Sequence, residues 1–547
     1  MKRKAAVWLM LAALLIPLFP AGALAKAPVK NVIIVMPDGM SATHATVARW
    51  YNGGKALVSD EMICGAIRTY SAESLISDSA PASTAFATGH KSNSKFIGIL
   101  PAKTTMPGVA PVADELKYKP GATVLEGAKL QGKAVGLVAT SNIQHASPAG
   151  YSAHTFNRND YNDIAEQQVY LDIDVVFGGG KQYLLPVAQG GKRTDGENLV
   201  AVLKDRGYRF VEDRGQMASV KSGKVWGMFA MDDMAYEFDR PTFRPEEPSL
   251  AEMTGKAIEL LSQNKNGFFL FVEASKVDWA SHANDPIGVI SDVLAFDEAM
   301  KVALDFARKD GQTLVLGFTD HGNGGMSIGN KTTDATYDKL PFEALIAPLK
   351  KATLTGEGIE KVLDGDLSES NIRFVMSNYY GVDDLTAGEV TAIQKAKKGS
   401  MNYAVGPVIS RRSVIGWTTN GHTGEDVFLY AYGPNRPTGL IQNTDLALAQ
   451  AGALGLDLDA VDGKLFVEAD KAFAAIGATV RLDKADAANP VLVVEKGMKR
   501  VELPISKDIV RAGGTSCEMH GLTVLAAKTG KVYVPRQAVE LAVAAGL

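Results

Sequence analysis

Six short apolar runs, each stopped by a polar or glycine-rich turn, constrain this chain more than any other feature. They are NVIIVMPDG (31–39), AVGLVATS (134–141), DVVFGGG (174–180), FFLFVEAS (268–275), TLVLGFTDHG (313–322) and DVFLYAYGP (426–434). Continuous rather than alternating hydrophobicity suits strands buried on both faces, as in a parallel sheet. Helical patterns lie between the runs. The clearest is PSLAEMTGKAIELLSQ, where Ser249 and Glu252 form a capping box ahead of an amphipathic stretch. The alternation predicts a doubly wound α/β domain with a central, mostly parallel sheet flanked by helices. Such sheets place their sites beyond the carboxyl ends of the strands. Those ends carry Asp38, Glu273 and the pair Asp320–His321.

At 547 residues the chain has room for a large core and more than one domain. Its 57 basic and 61 acidic residues give a formal charge of −4 and no dense basic run. A surface that tracks nucleic acid is therefore not expected. The first residues read as an export leader: MKRK, then the apolar AAVWLMLAALLIPLF, then AGALA with small residues at Ala23 and Ala25. A membrane anchor needs about 20 apolar residues, and this run is shorter, with Pro17 and Pro20 near its end. Cleavage after Ala25 and a secreted, periplasmic or cell-surface location are expected. Cys64 and Cys517 are far apart, make no metal-type spacing and read as free thiols.

The catalytic domain is expected over 26–455 and a small α+β domain over 456–547. In the latter, GKLFVEADKAFAAIGA (463–478) and GKVYVPRQAVELAVAAG (530–546) share a Gly-Lys start, an apolar strand and an Ala-rich helix, so they read as a repeated strand–helix unit. Between His321 and His422 a long excursion with helical character reads as a structured insertion.

Several residues offer chemistry. Ser79 precedes a small-residue helical stretch, SDSAPASTAFATG, with Pro81 in a first turn that tolerates it. A serine oxygen there meets the positive end of the helix dipole, although Asp78 or Ser79 could simply cap the helix. In VEASKVDWASHANDP, Asp278 and His282 are four residues apart and on one helical turn would share a face able to bind one ion. His422 lies in a Gly-flanked turn before a strand. His145, Ser147 and Arg158 follow another strand, and beside a phosphate the Arg158 fork could hold two oxygens. FGGGKQ lacks the spacing of a phosphate-binding P-loop.

Taken together, MPDGM, DSAPASTAFATG, QHASPAG with NRND, VEASKVDWASHAND, FTDHG and GHTGEDV resemble the alkaline phosphatase family over about residues 30–455. The resemblance implies an α/β sandwich, usually dimeric, built around two Zn2+ and one Mg2+. Carried over motif by motif, it implies that Asp278, His282 and His422 bind the first zinc. Asp38, Asp320 and His321 would bind the second, with Ser79 as its reactive ligand. Asp38 would bridge to a third metal that Ser147 and Glu273 also hold, and Arg158 would clamp substrate phosphate. Nitrogen and carboxylate donors suit zinc, and an all-oxygen set suits magnesium. The implied activity is hydrolysis of small phosphate monoesters through a phosphoserine intermediate.

His145 and Trp279 stand where some members carry Asp and Lys near the third metal, so Zn2+ or Co2+ could replace Mg2+ there. The C-terminal repeat resembles the stalk-type module found at the N-terminus of some copper amine oxidases, which would imply cell-surface attachment. Two alternatives stay open at this point: a phosphodiesterase or sulfatase of the same metal-hydrolase superfamily, and a non-enzymatic surface protein with a structural metal cluster.

Overall fold

The computed structural model describes residues 28–547. The leader read over 1–25 lies outside the described residues. Ten strands form the central sheet: β1 (Asn31–Pro37), β2 (Ile63–Arg68), β3 (Ala134–Asn142), β4 (Val175–Gly179), β5 (Arg209–Val211), β6 (Val225–Met228), β7 (Phe268–Ala274), β8 (Thr313–Gly317), β9 (Val427–Tyr432) and β10 (Gly439–Gln442). Their order is β10-β2-β9-β8-β1-β7-β3-β4-β6-β5.

The six apolar runs are β1, β3, β4, β7, β8 and β9. Burial follows the continuous pattern. Val32, Ile34 and Met36 of β1 pack into the core on one face of the sheet, with Phe269 and Phe271 of β7. Ile33 and Val35 pack into the core on the other, with Leu270 and Val272. Each such side chain contributes about 1.5–3 kcal/mol when fully buried.

Register brings the strand ends together. Met36 of β1 and Ala139 of β3 both pair with Glu273 of β7, and Val35 pairs with Gly317 of β8. Asp38, Glu273 and Asp320 therefore leave the sheet at one rim.

The parallel expectation fails at β9, which is antiparallel to both β8 and β2. The cause is the excursion before it. Five helices between Phe342 and Arg412 bury their own apolar core, and the chain then returns to the rim at His422. A strand that begins at that rim must run away from it. β2, β5, β6 and β10 lie outside the six runs singled out, although VWGM of β6 is apolar and buried. β2 and β10, ICGAIR and GLIQ, are largely exposed or half-buried beyond the central strands.

Residues 456–547 form a three-stranded and a five-stranded antiparallel sheet with short helices. Strand Val467–Glu468 pairs with Lys531–Val534, and each leads into a helix, Ala469–Ala474 and Arg536–Ala544. The repeat is therefore real but its first copy is shorter than the sequence suggested. Gly463, Lys464 and Leu465 end the helix Leu458–Leu465, because Val461 and Leu465, one turn apart, pack into the main core.

Candidate active site

Asp38 follows β1 in a turn that only glycine completes comfortably. Gly39 has φ of 68°, and a Cβ there would lie 2.7 Å from Asp278 Oδ1. The tight turn lets Asp38 approach the helix Lys276–His282 that follows β7. On that helix Asp278 and His282 share a face, as expected, with Asp278 Oδ2 3.4 Å from His282 Nε2. His422 Nε2 lies 3.6 Å from Asp278 Oδ1 and 3.2 Å from His282 Nε2.

These two imidazoles show what the cluster lacks. His282 Nδ1 donates to the Asn420 carbonyl (2.6 Å), and His422 Nδ1 donates to the Ser77 carbonyl (2.8 Å). Carbonyls only accept, so both Nε2 atoms face each other as lone pairs unless a proton or cation intervenes. Asn323, two residues beyond His321, donates to Asp278 Oδ1 (2.6 Å) and fixes the carboxylate.

The second group comprises Asp38, Asp320 and His321, whose ligand atoms lie within 4.8 Å of one another. Asp320 Oδ1 accepts from the backbone N–H groups of Gly39 (3.2 Å) and His321 (3.1 Å). Its Oδ2 faces His321 Nε2 at 2.9 Å. Ser79 opens the helix Ser79–Thr88, and its Oγ lies 3.1 Å from His321 Nε2. The capping alternative is not realised, since neither side chain caps the helix. The Asp78 carboxylate is engaged elsewhere, by Arg158 and the Lys95 N–H.

Asp38, His145 and Glu273 make a third group within the same 4.8 Å limit, so Asp38 belongs to two groups at once. Ser147, at the start of the helix Ala146–Ser152, is fully buried. Both Asp38 oxygens, Glu273 Oε1, Ser147 Oγ and His145 Nδ1 are buried without a hydrogen-bond partner. Unpaired buried carboxylates cost several kcal/mol each, so this is a site shaped for cations. The oxygen and imidazole donors fit divalent ions of the zinc and magnesium type.

The charge imbalance is visible in the acidities. Burial, with the carboxylates of Asp320, Asp278 and Glu273, holds Asp38 well above the usual range. Burial pushes Glu273 up to about 7. His321 is pulled to about 9 by Asp320 although burial opposes it. Burial and the neighbouring Arg158 push His145 down to about 3, so its imidazole is neutral.

Arg158 joins the Asp78 carboxylate to the site, and its Nη2 donates to His145 Nε2 at 3.3 Å. Trp279 stands edge-on to His145, ring centroids 5.8 Å apart. Lys276 Nζ sits 5.2 Å from the Trp279 ring and 3.2 Å from Glu357 of the inserted helices. The structure thus brings the candidate site residues together at one rim. Sequence reasoning missed the supporting roles of Asp78, Asn323, Gly39 and the two carbonyls at Ser77 and Asn420. Asp78 lay inside a quoted motif and Asn323 directly after one, and the carbonyls left no signal because any residue supplies one.

The comparisons with known proteins converge. The family profile described as "Alkaline phosphatase" matches residues 29–456. Alkaline phosphatase 3 of Bacillus subtilis is 36% identical over 442 residues, covering 77% of this chain and 87% of the relative. The repressible alkaline phosphatase of Saccharomyces cerevisiae is 32% identical, covering 75% and 77%. Among solved structures, Thermus thermophilus alkaline phosphatase superposes with a TM-score of 0.68 at 28% identity, covering 81% of this chain and 96% of that one. A cold-active alkaline phosphatase from a Shewanella species gives 0.65 at 28%, covering 78% and 99%.

Proposed function

The chain belongs to the alkaline phosphatase family, whose reaction is hydrolysis of phosphate monoesters, and from that premise we propose roles for its own residues. Ser79 is the nucleophile. Its Oγ attacks phosphorus, the bond to the leaving oxygen breaks, and water then cleaves the phosphoserine to release inorganic phosphate. Arg158 holds the phosphate, with Asp78 fixing one edge of its guanidinium. Asp278, His282 and His422 would hold one zinc, and Asp38, Asp320 and His321 a second. Asp38, Ser147 and Glu273 would hold the third ion, with His145 and Trp279 beside it. When bound, such ions lower the pKa of a hydroxyl and stabilise charge on a leaving oxygen.

The observation that carries this reading is the run of buried, unpartnered carboxylate oxygens around Asp38. A purely structural cluster would need no serine aimed into it, whereas Ser79 Oγ points at His321. Among the described residues no helix is long and apolar enough to cross a membrane. Export with cleavage after Ala25, a homodimer and surface attachment through residues 456–547 complete the proposal; they rest on the leader and the two resemblances. The test is metal analysis of the purified protein together with turnover of matched phosphate monoesters, phosphate diesters and sulfate esters. Two zinc ions per chain and a strong monoester preference are expected. A metal-free active protein, or equal diester turnover, would overturn the reading.

A further inference from the structure

Residues 456–547 do not hang from the catalytic domain on a linker. Arg206 pairs with Asp508, Lys507 Nζ lies 2.8 Å from Glu197, and Lys119 pairs with Asp462. Val461, Leu465, Phe466, Leu522, Val524 and Tyr533 join the main apolar core.

A further engagement is on the stretch that leads to Arg158. Thr155 bridges Ile97 in both directions (2.8 and 2.9 Å), and the Arg158 N–H donates to the Lys95 carbonyl at 2.8 Å. His154 is held at its backbone by Gln167, whose Oε1 accepts from its N–H at 2.8 Å. The His154 ring is buried, with Nδ1 2.7 Å from the Gly98 carbonyl and Nε2 3.1 Å from Glu126. Phe466 stands edge-on against that ring, centroids 4.7 Å apart. Two residues along, Lys528 Nζ lies 4.4 Å over the Phe156 ring. In an extended stretch residues 154 and 156 face one side, and here the C-terminal residues lie against both. The intervening Thr155 instead turns its Oγ1 to Asp160 (3.1 Å).

We propose that Phe466 and Lys528 are positioning residues for Arg158, so that the C-terminal segment braces the phosphate clamp as part of the catalytic unit. This rests on the reading of Arg158 as that clamp. A well-packed aromatic wall limits the rotamers of its neighbours, and small displacements of a positioning group cost binding and rate.

The test uses the full-length, metal-loaded enzyme and inorganic phosphate as competitive inhibitor. Phe466→Ala is expected to raise the inhibition constant by roughly three- to tenfold with zinc content unchanged, and Phe466→Leu to restore most of it. In an Arg158→Ala background, Phe466→Ala should add nothing further. Lys528→Met, at an exposed position that cannot unfold the core, is the second variant and should give roughly a twofold rise. A lowered melting temperature with unchanged phosphate inhibition in both variants would overturn the proposal, as would an equal effect of Phe466→Ala in the Arg158→Ala background. If Arg158→Ala alone left phosphate inhibition unchanged, the clamp reading itself would fall, and this inference with it.

Discussion

Two acid clusters can be set side by side in this molecule, one buried and one partly so. At the rim, Asp38, Glu273, Asp278 and Asp320 converge, and the Asp38 and Glu273 carboxylates are left with unpaired oxygens. At the junction with the C-terminal segment, Glu166, Asp195 and Glu197 bring their oxygens within the same 4.8 Å. Yet the junction cluster is answered by cations of the chain itself. Arg193, fully buried, pairs with all three acids, and Lys507 Nζ lies 3.1 Å from Glu166 and 2.8 Å from Glu197. The difference teaches that convergence of carboxylates does not make a metal site. What marks one is convergence with carboxylate oxygens left unpartnered, because burial of unpaired charge is tolerable only when something outside the chain supplies the balance.

The largest expected effect breaks the comparison at the rim. Ser79→Ala removes the hydroxyl that faces His321 Nε2 and should lower monoester turnover by several orders of magnitude, with no phosphoenzyme trapped on acid quench. Zinc content should stay near that of the parent, since Asp38, Asp320 and His321 remain. Turnover close to the parent's would show that Ser79 is not the nucleophile.

Next in size is a change that makes the junction resemble the rim. Lys507→Met leaves Glu166 and Glu197 with Arg193 alone, and breaking a buried pair destabilises by about 3–5 kcal/mol. Glu166 sharpens the test. Burial raises it from its ordinary 4.5 to about 7 even with Lys507 present. The folded state therefore keeps a proton that the unfolded state has lost, and stability falls as pH rises through that window. Without Lys507 the folded value climbs further, so in urea titrations the deficit of the variant should widen as pH rises above about 7, where only the parent's Glu166 has lost its proton. Added calcium should recover part of it in the variant and none in the parent. A deficit that narrows over that range would mean the junction is not held by this pairing.

The same contrast explains what was legible in the sequence. Every rim ligand sits within a few residues of an apolar run or a short motif, because strands end there, and local pattern reports strand ends. The direction of β9 and the strands β2 and β10 at that end of the sheet did not show, since they depend on where the chain returns after the inserted helices. The junction did not show at all. Lys507 and Glu197 lie in unremarkable stretches of a charged surface composition, and only the fold brings them together. Likewise GKLF looked like the start of a strand, whereas packing of Val461 and Leu465 onto the core made it the end of a helix. Contacts between distant segments carry no periodicity, so nothing local announced that the C-terminal segment meets the stretch before Arg158.

The smallest expected effect lies within the rim and concerns the third ion. Asp38, Ser147 and Glu273 offer oxygen only, which favours magnesium with waters completing its octahedron. His145 is the exception, and its hydrogen bonds restrict what it can do. Arginine only donates, so the contact from Arg158 Nη2 makes His145 Nε2 an acceptor. The ring is neutral, with its pKa held near 3, and the proton must then sit on Nδ1, which is buried without a partner. A protonated nitrogen cannot bind a cation, but it can donate to an oxygen atom beside one. His145 would therefore tune the site by orienting water, unless Arg158 lets go and frees Nε2 for direct binding. His145→Asp replaces that donor with an anionic acceptor and should shift activation toward magnesium when zinc, cobalt and magnesium are added singly to the stripped enzyme. Because Arg158 also loses a neutral neighbour and gains a charged one, phosphate inhibition should weaken in parallel, by a few fold. An unchanged metal preference alongside altered phosphate inhibition would place His145 with the clamp alone, and the third site would then be set by its oxygens.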